Sequence, residues 1–326
     1  MIEGEVTMKF YITILAILLC FILVACGGSK PEKDDSMPDE KFSPEELPNE
    51  FLEGNFETIY NQTSESFQDM VSFEEFEELG KDFNQGLNEF VLASTMPFQN
   101  VTEYQWISVE GDKGIQGHFA DDFTIEGLRL TPVISNLESD NIYTEVTYQM
   151  PMKGEWFTFW GGTNELVNYH YATENQRYAY DLVIEKDGST FEGDHKNNES
   201  YYAFGEDVLA PADGTVVSVE NDIKDNTPTV ETNAKEPLGN HVILEHDHHE
   251  YSVIAHLQQG SLKVNEGDQV RAGDLLGFVG NSGNSSEPHI HFHVVDGPEW
   301  EEATSIRIKL ENGKDPIRGE TVNGFE

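Results

Sequence analysis

The sequence feature that most restricts the fold is a short segment near the C-terminal end in which histidine and apolar residues alternate. The segment runs His289, Ile290, His291, Phe292, His293. Because successive side chains of a β-strand point to opposite faces, the imidazoles would share one face while Ile290 and Phe292 occupy the other. The spacing therefore predicts a strand with one face in the apolar core and a histidine face that lines a site or reaches solvent.

The residues around this segment predict more strands of the same kind. Short runs rich in β-branched and aromatic residues, bounded by Gly, Asp or Asn, occur at 178–184, 214–219, 241–244 and 251–256. Turn residues separate these runs at short intervals, which is typical of an all-β domain. We expect this domain to occupy residues 160–326.

The preceding residues predict helices followed by strands. Apolar residues recur at helical spacing over 51–90, and Ser72 is a suitable N-cap for a second helix. Further along the chain the pattern changes to strands separated by turn residues. We therefore expect a small α+β domain at 50–135, joined to the β-domain by a connecting segment at 136–159.

The N-terminus has the layout of a secretory signal peptide at residues 1–25. Its apolar run, at 10–25, is shorter than the roughly 20 residues that a membrane-spanning helix needs. The residues at 23–26, Leu-Val-Ala-Cys, resemble a bacterial lipobox, which implies cleavage before Cys26 and a lipid on its thiol. The acidic segment at 26–49 holds few large apolar residues, so we expect a flexible tether.

Acidic residues greatly outnumber basic ones. The chain has 61 Asp and Glu against 19 Lys and Arg, a formal net charge of -42. Such a chain repels phosphate backbones, which argues against nucleic acid as a partner. A solvated acidic surface explains the charge, and a cationic partner is the alternative. Of the two cysteines, Cys20 lies in the leader, so the mature chain would form no internal disulfide.

Several motifs of the C-terminal half occur in a fixed order. They are Ala-Pro-Ala-Asp-Gly at 210–214, Ala-His-Leu at 255–257, Gly-Asn-Ser-Gly-Asn-Ser at 280–285 and Pro-His-Ile-His at 288–291. With these motifs the segment 160–310 resembles the lysostaphin-type, or LytM-like, zinc metallopeptidase family. The resemblance implies mainly antiparallel β-sheets with an open groove, one zinc ion, and peptidoglycan as the substrate.

The same resemblance assigns roles to individual residues. His291, the second histidine of Pro-His-x-His, matches a zinc ligand, while His289 and His256 match the catalytic histidines. Asp181 matches the ligand carboxylate. The family usually has another ligand histidine four residues before this aspartate, where this chain has Arg177. Arginine is always protonated and cannot bind a metal ion, so the missing ligand must come from elsewhere.

His170 is the nearest replacement, eleven residues before Asp181. The strings Asn-Tyr-His at 168–170 and Gln-Arg-Tyr-Ala-Tyr-Asp at 176–181 are similar to a variant in some branches of the family, which favours His170 as the third zinc ligand. If His170 is only structural, the domain becomes a degenerate module that binds the wall without cutting it. The role of His293, in the groove or behind a ligand, stays open.

The remaining histidines are given structural or surface roles. His118 stands alone in the α+β domain, and a lone histidine is more often structural than catalytic. His246, His248 and His249 lie between two predicted strands with acidic neighbours, so we expect an exposed hairpin tip. The residues at 50–135 also loosely resemble a nuclear-transport-factor-like domain of unknown function, by the order of elements more than by motifs.

Together these features predict a lipid-anchored zinc metalloendopeptidase that hydrolyses peptide bonds in peptidoglycan stems or cross-bridges. The lipid on Cys26 would hold it at the outer face of the cytoplasmic membrane of a Gram-positive bacterium. The degenerate wall-binding or scaffold module is one alternative. A sugar-phosphotransferase phosphocarrier is another, because it has comparable strands and paired histidines, but the leader argues against a cytosolic carrier.

Overall fold

The computed structural model describes residues 41–98, 100–136 and 138–326. The predicted leader, Cys26 and most of the tether lie outside the described residues. Lys41–Glu326 form one compact unit. Among the helices of the described part, none is long and apolar enough to span a membrane.

The described chain begins with short helices that share an aromatic core. After a 3₁₀ turn at Pro44–Glu46, the α-helices are Leu47–Glu53 (α1), Phe56–Asn61 (α2), Glu65–Met70 (α3) and Phe73–Phe83 (α4). Ser72 caps α4 as the sequence predicts. Its Oγ accepts the N–H of Glu75, and the Glu75 carboxylate accepts the N–H of Ser72.

Helical structure starts earlier than the tether predicted at 26–49 allows. The 3₁₀ turn begins at Pro44, and Leu47 is fully buried, packing with the aromatic core that includes Phe51. Composition hid this start, because the segment holds few large apolar residues, although Leu47, Pro48 and Phe51 of the first short helix are all buried. The tether therefore ends before Pro44.

An antiparallel sheet follows the helices. Its strands, in their order across the sheet, are Phe90–Phe98 (β1), Val101–Ser108 (β2), Lys113–Phe119 (β3) and Ile125–Pro132 (β4). Trp106 and Ile115 are paired across β2 and β3 and pack against the helices in one buried cluster. Helices followed by an antiparallel sheet are the α+β order that the sequence predicts.

The rest of the chain is mainly antiparallel β-structure, as predicted. Its strands are Tyr143–Tyr148 (β5), Glu155–Trp160 (β6), Tyr180–Val183 (β7), Asp207–Leu209 (β8), Gly214–Glu220 (β9), Asn240–Glu245 (β10), Tyr251–Leu257 (β11), Gln269–Val270 (β12), Leu275–Phe278 (β13), Ile290–Val295 (β14), Ser305–Leu310 (β15) and Thr321–Asn323 (β16).

The main sheet has the order β12-β9-β10-β11-β14-β7-β6-β16, while β15 pairs with β14 and, in parallel, with β5. β8 and β13 pair separately. β5 and all but the last residue of β6 fall inside the connecting segment predicted at 136–159. They pair with strands of the C-terminal β-structure, so that part begins before residue 160. The open groove expected from the resemblance stays a prediction.

The alternating segment forms β14 and has two buried faces. Ile290, Phe292 and Val294 are fully buried in the main apolar core. On the opposite face, His291 is 2% exposed and His293 is 0% exposed. The histidine face therefore lines an interior polar site and does not reach solvent.

His246 differs from the exposed position predicted for it. It is 5% exposed, with Nδ1 2.7 Å from the Asp213 carbonyl oxygen and Nε2 2.7 Å from Ser252 Oγ. The hairpin turn begins only after this residue, so His248 and His249 are exposed as predicted, whereas His246 packs inward.

The burial of His246 predicts a loss of stability in acid. Burial lowers the pKa of its imidazole, a shift that the hydrogen bond to Asp213 only partly opposes. Below the unfolded-state pKa of about 6.5, the unfolded chain then binds a proton that the folded chain does not, so stability falls as the pH is lowered. Urea unfolding at pH 7 and pH 5 should show this loss, and His246→Gln should reduce it.

The exposed His248 provides the control for this prediction. Its backbone has a φ of 64°, a left-handed conformation that asparagine tolerates. We expect His248→Asn to leave the pH dependence of the unfolding midpoint as it is in the parent. An unchanged pH dependence in His246→Gln would contradict the prediction.

Candidate metal centre

Two imidazoles and a carboxylate meet beside β14. His170 Nε2 lies 3.0 Å from Asp181 Oδ2, and His291 Nδ1 lies 2.9 Å from Asp181 Oδ1. One donor atom from each residue lies within 4.8 Å of the others. All three side chains are buried, with 3%, 5% and 2% exposure respectively. The residues predicted as zinc ligands are therefore brought together.

Neighbouring strands place two of these side chains. Asp181 lies on β7 directly opposite His291 on β14 in the antiparallel register. Directly opposed residues of adjacent strands project to the same face, about 4.5–5.5 Å apart. The pairing of β7 with β14 thus brings together residues that lie 110 positions apart in sequence.

A folded-back loop places His170. This residue lies in a 3₁₀ turn at Tyr169–Ala172, between β6 and β7. The fully buried Asn168 holds the turn: its Oδ1 accepts the N–H of His170, while its Nδ2 donates to the carbonyls of Arg177 and Ala179. The amide ties both ends of the loop together, which brings His170 beside Asp181.

Arg177, at the position where the family usually has a ligand, points elsewhere. Its guanidinium donates to the Tyr171 carbonyl at 3.4 Å and to Ser139 Oγ at 3.3 Å, and it lies 5.6 Å from the centre of the Tyr171 ring. Arg177 therefore supports the loop from outside while His170 occupies the space beside the carboxylate.

The two histidines predicted to be catalytic flank the cluster. His289 Nε2 is 3.6 Å from Asp181 Oδ1, and the ring centres of His289 and His256 are 4.8 Å apart. His289 Nδ1 lies 2.8 Å from the Glu287 carbonyl oxygen, and His256 Nδ1 lies 2.9 Å from that of Ser282. Each Nδ1–H donates to a carbonyl, which leaves each Nε2 for chemistry at the cluster.

A local distortion of β11 aims His256. Its φ of 65° is left-handed, an uncommon conformation for a residue other than glycine. The pairing register of β10 with β11 shifts between Asn240 and Val242, opposite this residue. A bulge inserts an extra residue and redirects a side chain, and such bulges are common beside active sites. Backbone strain at His256 is thus the local cause of its orientation.

The electrostatics favour a charged Asp181 and a neutral His291. Burial alone would raise the pKa of Asp181, but the charges of His170 and His289 and the hydrogen bonds from His170 and His291 hold that pKa well below its usual range. Burial lowers the pKa of His291 to about 4 against the opposing pull of Asp181. Burial, together with the nearby His289 and His291, lowers the pKa of His256.

The donor set fits a zinc ion. Two neutral imidazoles and one carboxylate are the ligand types of catalytic zinc sites that keep a further position for water. Metal binding requires deprotonated ligands, which the pKa shifts of Asp181 and His291 provide near neutral pH. The cluster of His170, Asp181 and His291 therefore fits the cofactor that the sequence predicts.

Sequence reasoning missed the residues that hold the ligands in place. Asn168 carries the His170 loop, Gln176 Oε1 lies 3.0 Å from His170 Nδ1, and the Ser282 carbonyl orients His256. Asn168 was within reach, because it belongs to the Asn-Tyr-His string. Gln176 and Ser282 also belong to strings named above, but their contacts depend on loop geometry, which those strings do not specify.

Comparison with known proteins finds a family match in the C-terminal region. Residues 194–301 match the model of Peptidase family M23. The M23 match includes His256, His289 and His291, while His170 and Asp181 lie before it. It does not extend to 50–135, so the nuclear-transport-factor-like resemblance receives no support.

A curated relative agrees with the M23 match. An uncharacterized metalloprotease of Haemophilus influenzae is 31% identical over 102 residues, which are 31% of this chain and 18% of the relative. The matched segment is thus less than a fifth of that protein's length.

Solved structures with similarity to the chain include two peptidases. The catalytic domain of lysostaphin from Staphylococcus simulans is 16% identical, with 47% of this chain and 88% of that chain covered and a TM-score of 0.28. The M23 metalloprotease pseudoalterin, from the deep sea, is 16% identical, with 56% and 98% covered and a TM-score of 0.32.

Gly239 packs closely against the backbone of Ser282, whose carbonyl holds His256. Gly239 has a φ of 59°, and a Cβ there would overlap backbone atoms of Ser282 and Gly283. Because Ser282 orients His256, Gly239→Ala should lower both stability and activity. Gly267→Ala is the control, since Gly267 has a φ of 90° and nothing within 4 Å of a Cβ.

The overlap should make Gly239→Ala about 1–3 kcal/mol more destabilising than Gly267→Ala, the usual cost of overpacking. Urea unfolding of the two variants measures the difference. Equal losses of stability would show that only the left-handed backbone matters at Gly239 and that Ser282 is not displaced.

Proposed function

We propose that this chain is a zinc metalloendopeptidase that hydrolyses peptide bonds in peptidoglycan stems or cross-bridges. The observation that carries the proposal is the buried cluster of His170, Asp181 and His291, whose donor atoms lie within 4.8 Å of one another, with His256 and His289 beside it. The match of residues 194–301 to Peptidase family M23 supports a peptidase. Peptidoglycan as the substrate is the finer part of the proposal.

In this proposal the cluster binds the metal ion, and the flanking histidines His256 and His289 transfer protons. Zinc held by His170, Asp181 and His291 would supply Lewis acidity to polarise the scissile carbonyl and to activate water. The protein's own contribution is a rigid set of ligands, because each of these side chains is buried and hydrogen-bonded.

His256 suits the role of proton acceptor. The Ser282 carbonyl holds its proton on Nδ1, and its lowered pKa keeps the ring neutral, so Nε2 presents a lone pair. A neutral imidazole in this orientation can orient the attacking water and take its proton.

His289 is placed to act on the leaving group. The Glu287 carbonyl fixes its Nδ1–H, and its Nε2 faces Asp181 at 3.6 Å. The protonated ring also carries a hydrogen on Nε2, and from this position a protonated His289 can donate it to the developing oxyanion or pass the proton to the leaving amine. Two histidines with separate backbone anchors thus allow proton acceptance and donation in one turnover.

The site of action in this proposal is the outer face of the cytoplasmic membrane. A lipid on Cys26 and a tether after it would let the peptidase reach peptidoglycan while it stays attached to the membrane. The support is the signal-peptide layout and the Leu-Val-Ala-Cys string at 23–26.

A non-catalytic wall-binding module is the competing proposal. It rests on Arg177, which stands where the family usually has a ligand. The folded-back loop argues against it, because His170 lies 3.0 Å from Asp181 and completes a set of three donors. Arg177 then only stabilises the loop that carries His170, through its hydrogen bonds to Tyr171 and Ser139.

Digestion of purified peptidoglycan tests the proposal. The zinc-loaded protein should release fragments with new amino termini, identified by mass spectrometry, and the fragment masses would name the bond that is cut. His289→Ala should retain zinc and lose most of the activity, whereas His248→Asn, at an exposed position, should behave as the parent. Absence of new amino termini with fully zinc-loaded parent would favour the wall-binding module.

A further inference from the structure

His293 is a buried histidine that the proposed chemistry does not use. It lies on β14 on the same face as His291, opposite Val253 of β11, and is 0% exposed. Its Nδ1 is 2.8 Å from His291 Nε2, and the ring centres are 4.9 Å apart. A distance of this length between two ring nitrogens requires a proton between them.

The other ring nitrogen of His293, Nε2, is buried as well. Among the residues that the structure describes, no donor or acceptor lies within hydrogen-bonding distance of its buried Nε2. A buried polar atom without a partner is costly, and an apolar side chain would avoid that cost. An imidazole at this position is explained if its Nδ1, which contacts His291, has a role that an apolar side chain cannot fill.

The contact with His291 settles which tautomer can bind a metal ion. His291 Nδ1 faces Asp181, so it is the nitrogen available to the metal centre, and it must carry a lone pair to act as a ligand. The proton of the neutral His291 ring then lies on Nε2, from which it donates to His293 Nδ1. His293 must therefore carry its own proton on Nε2.

We infer that His293 is a positioning residue that holds His291 in the metal-binding tautomer and orientation, and so raises the affinity of the cluster for zinc. The inference rests on the metal centre of the proposed function. Groups that accept the second N–H of a ligating histidine fix its tautomer and raise its basicity. In this chain the accepting group is a second imidazole two residues along the same strand.

Zinc affinity of two variants separates this role from simple packing. His293→Leu fills a similar space without an acceptor, and we expect zinc to bind about 10- to 100-fold more weakly, the usual effect of losing such a partner. His293→Asn places Oδ1 where Nδ1 was and should recover most of the loss. Dissociation constants come from competition with a chelating dye.

His246→Leu is the matched control, because His246 is also buried but lies outside the metal centre. It should lower the thermal unfolding midpoint of the metal-free protein without weakening zinc binding. If His293→Leu binds zinc as tightly as the parent, or if His293→Asn binds as weakly as His293→Leu, the inference is overturned.

Nitrogen NMR of the zinc-loaded parent tests the tautomer without any substitution. With ¹⁵N-labelled histidine, His293 should show a protonated Nε2 and an unprotonated Nδ1, and His291 a protonated Nε2. A protonated Nδ1 on His293 would overturn the inference even if the variants fail to fold. A parent that binds no zinc would instead overturn the metal centre, and with it both the proposed function and this inference.

Discussion

Asp181→Asn is expected to abolish stable zinc binding and to lower peptidase activity by about 10³-fold or more, as when one member of a catalytic unit is removed. The side chains have nearly the same shape, so the core should not be disturbed. The carboxylate, however, faces His170 Nε2 and His291 Nδ1 at 3.0 and 2.9 Å. An amide has no charge for the metal ion and presents an NH₂ group to one of the two ligands.

Metal content by mass spectrometry and hydrolysis of peptidoglycan measure the two expected losses. Asp222→Asn is the control, because Asp222 is exposed. It removes one acidic charge from the protein and should leave zinc content and activity as in the parent. Activity of Asp181→Asn within about 10-fold of the parent would show that the carboxylate is not a ligand, since removing a ligand costs far more.

Arg318→Met should destabilise the fold by about 3–5 kcal/mol, because it leaves a buried carboxylate without its counter-ion. Arg318 Nε is 2.8 Å from Glu103 Oε1, and both residues are 2% exposed. Burial alone would raise the pKa of Glu103, but the hydrogen bond from His118 and the charge of Arg318 lower it to about 2. The Glu103 carboxylate is therefore charged in the folded parent at neutral and mildly acidic pH.

An exposed ion pair provides the comparison. Lys153 Nζ lies 2.7 Å from Asp207, with side-chain exposures of 58% and 35%. Lys153→Met should cost less than about 1 kcal/mol, as for most surface pairs. Adding Glu103→Gln to Arg318→Met should recover part of the loss, because no uncompensated charge remains. Equal costs for Arg318→Met and Lys153→Met in urea unfolding would contradict this account.

Arg318 also links the sheet of the α+β region to the metal centre. Its guanidinium lies 3.8 Å from the centre of the Trp160 ring, and Trp160 packs edge-on against Tyr169 at 5.3 Å. The Tyr169 ring in turn lies 3.9 Å from that of His170. Loss of Arg318 should therefore weaken zinc binding as well as stability, which the metal content of Arg318→Met would show.

Periodic features of the sequence predicted the fold well. The alternation at 289–293 predicted a strand with its histidines on one face, and Ser72 predicted the start of α4. The boundary of the tether was wrong because a short helix needs only a few buried residues, here Leu47, Pro48 and Phe51, to hold it. The strands β5 and β6 in the predicted connecting segment were missed because they pair with β15 and β16, which are distant in sequence.

Residues of the site could be predicted where a contiguous sequence motif contains them. His256, His289 and His291 belong to contiguous motifs, so the sequence named them. His170 could be named but not placed, because its position depends on how Asn168 folds the loop back. The ion pair of Glu103 with Arg318 had no sequence signal, since the partners lie 215 residues apart.

Zinc-edge anomalous diffraction from crystals of the zinc-loaded protein tests the central claim most directly. We predict one zinc ion per chain, about 2.0–2.2 Å from His170 Nε2, His291 Nδ1 and a carboxylate oxygen of Asp181. A zinc ion bound by His291 and Asp181 without His170, or a protein that holds zinc only elsewhere, would contradict the account.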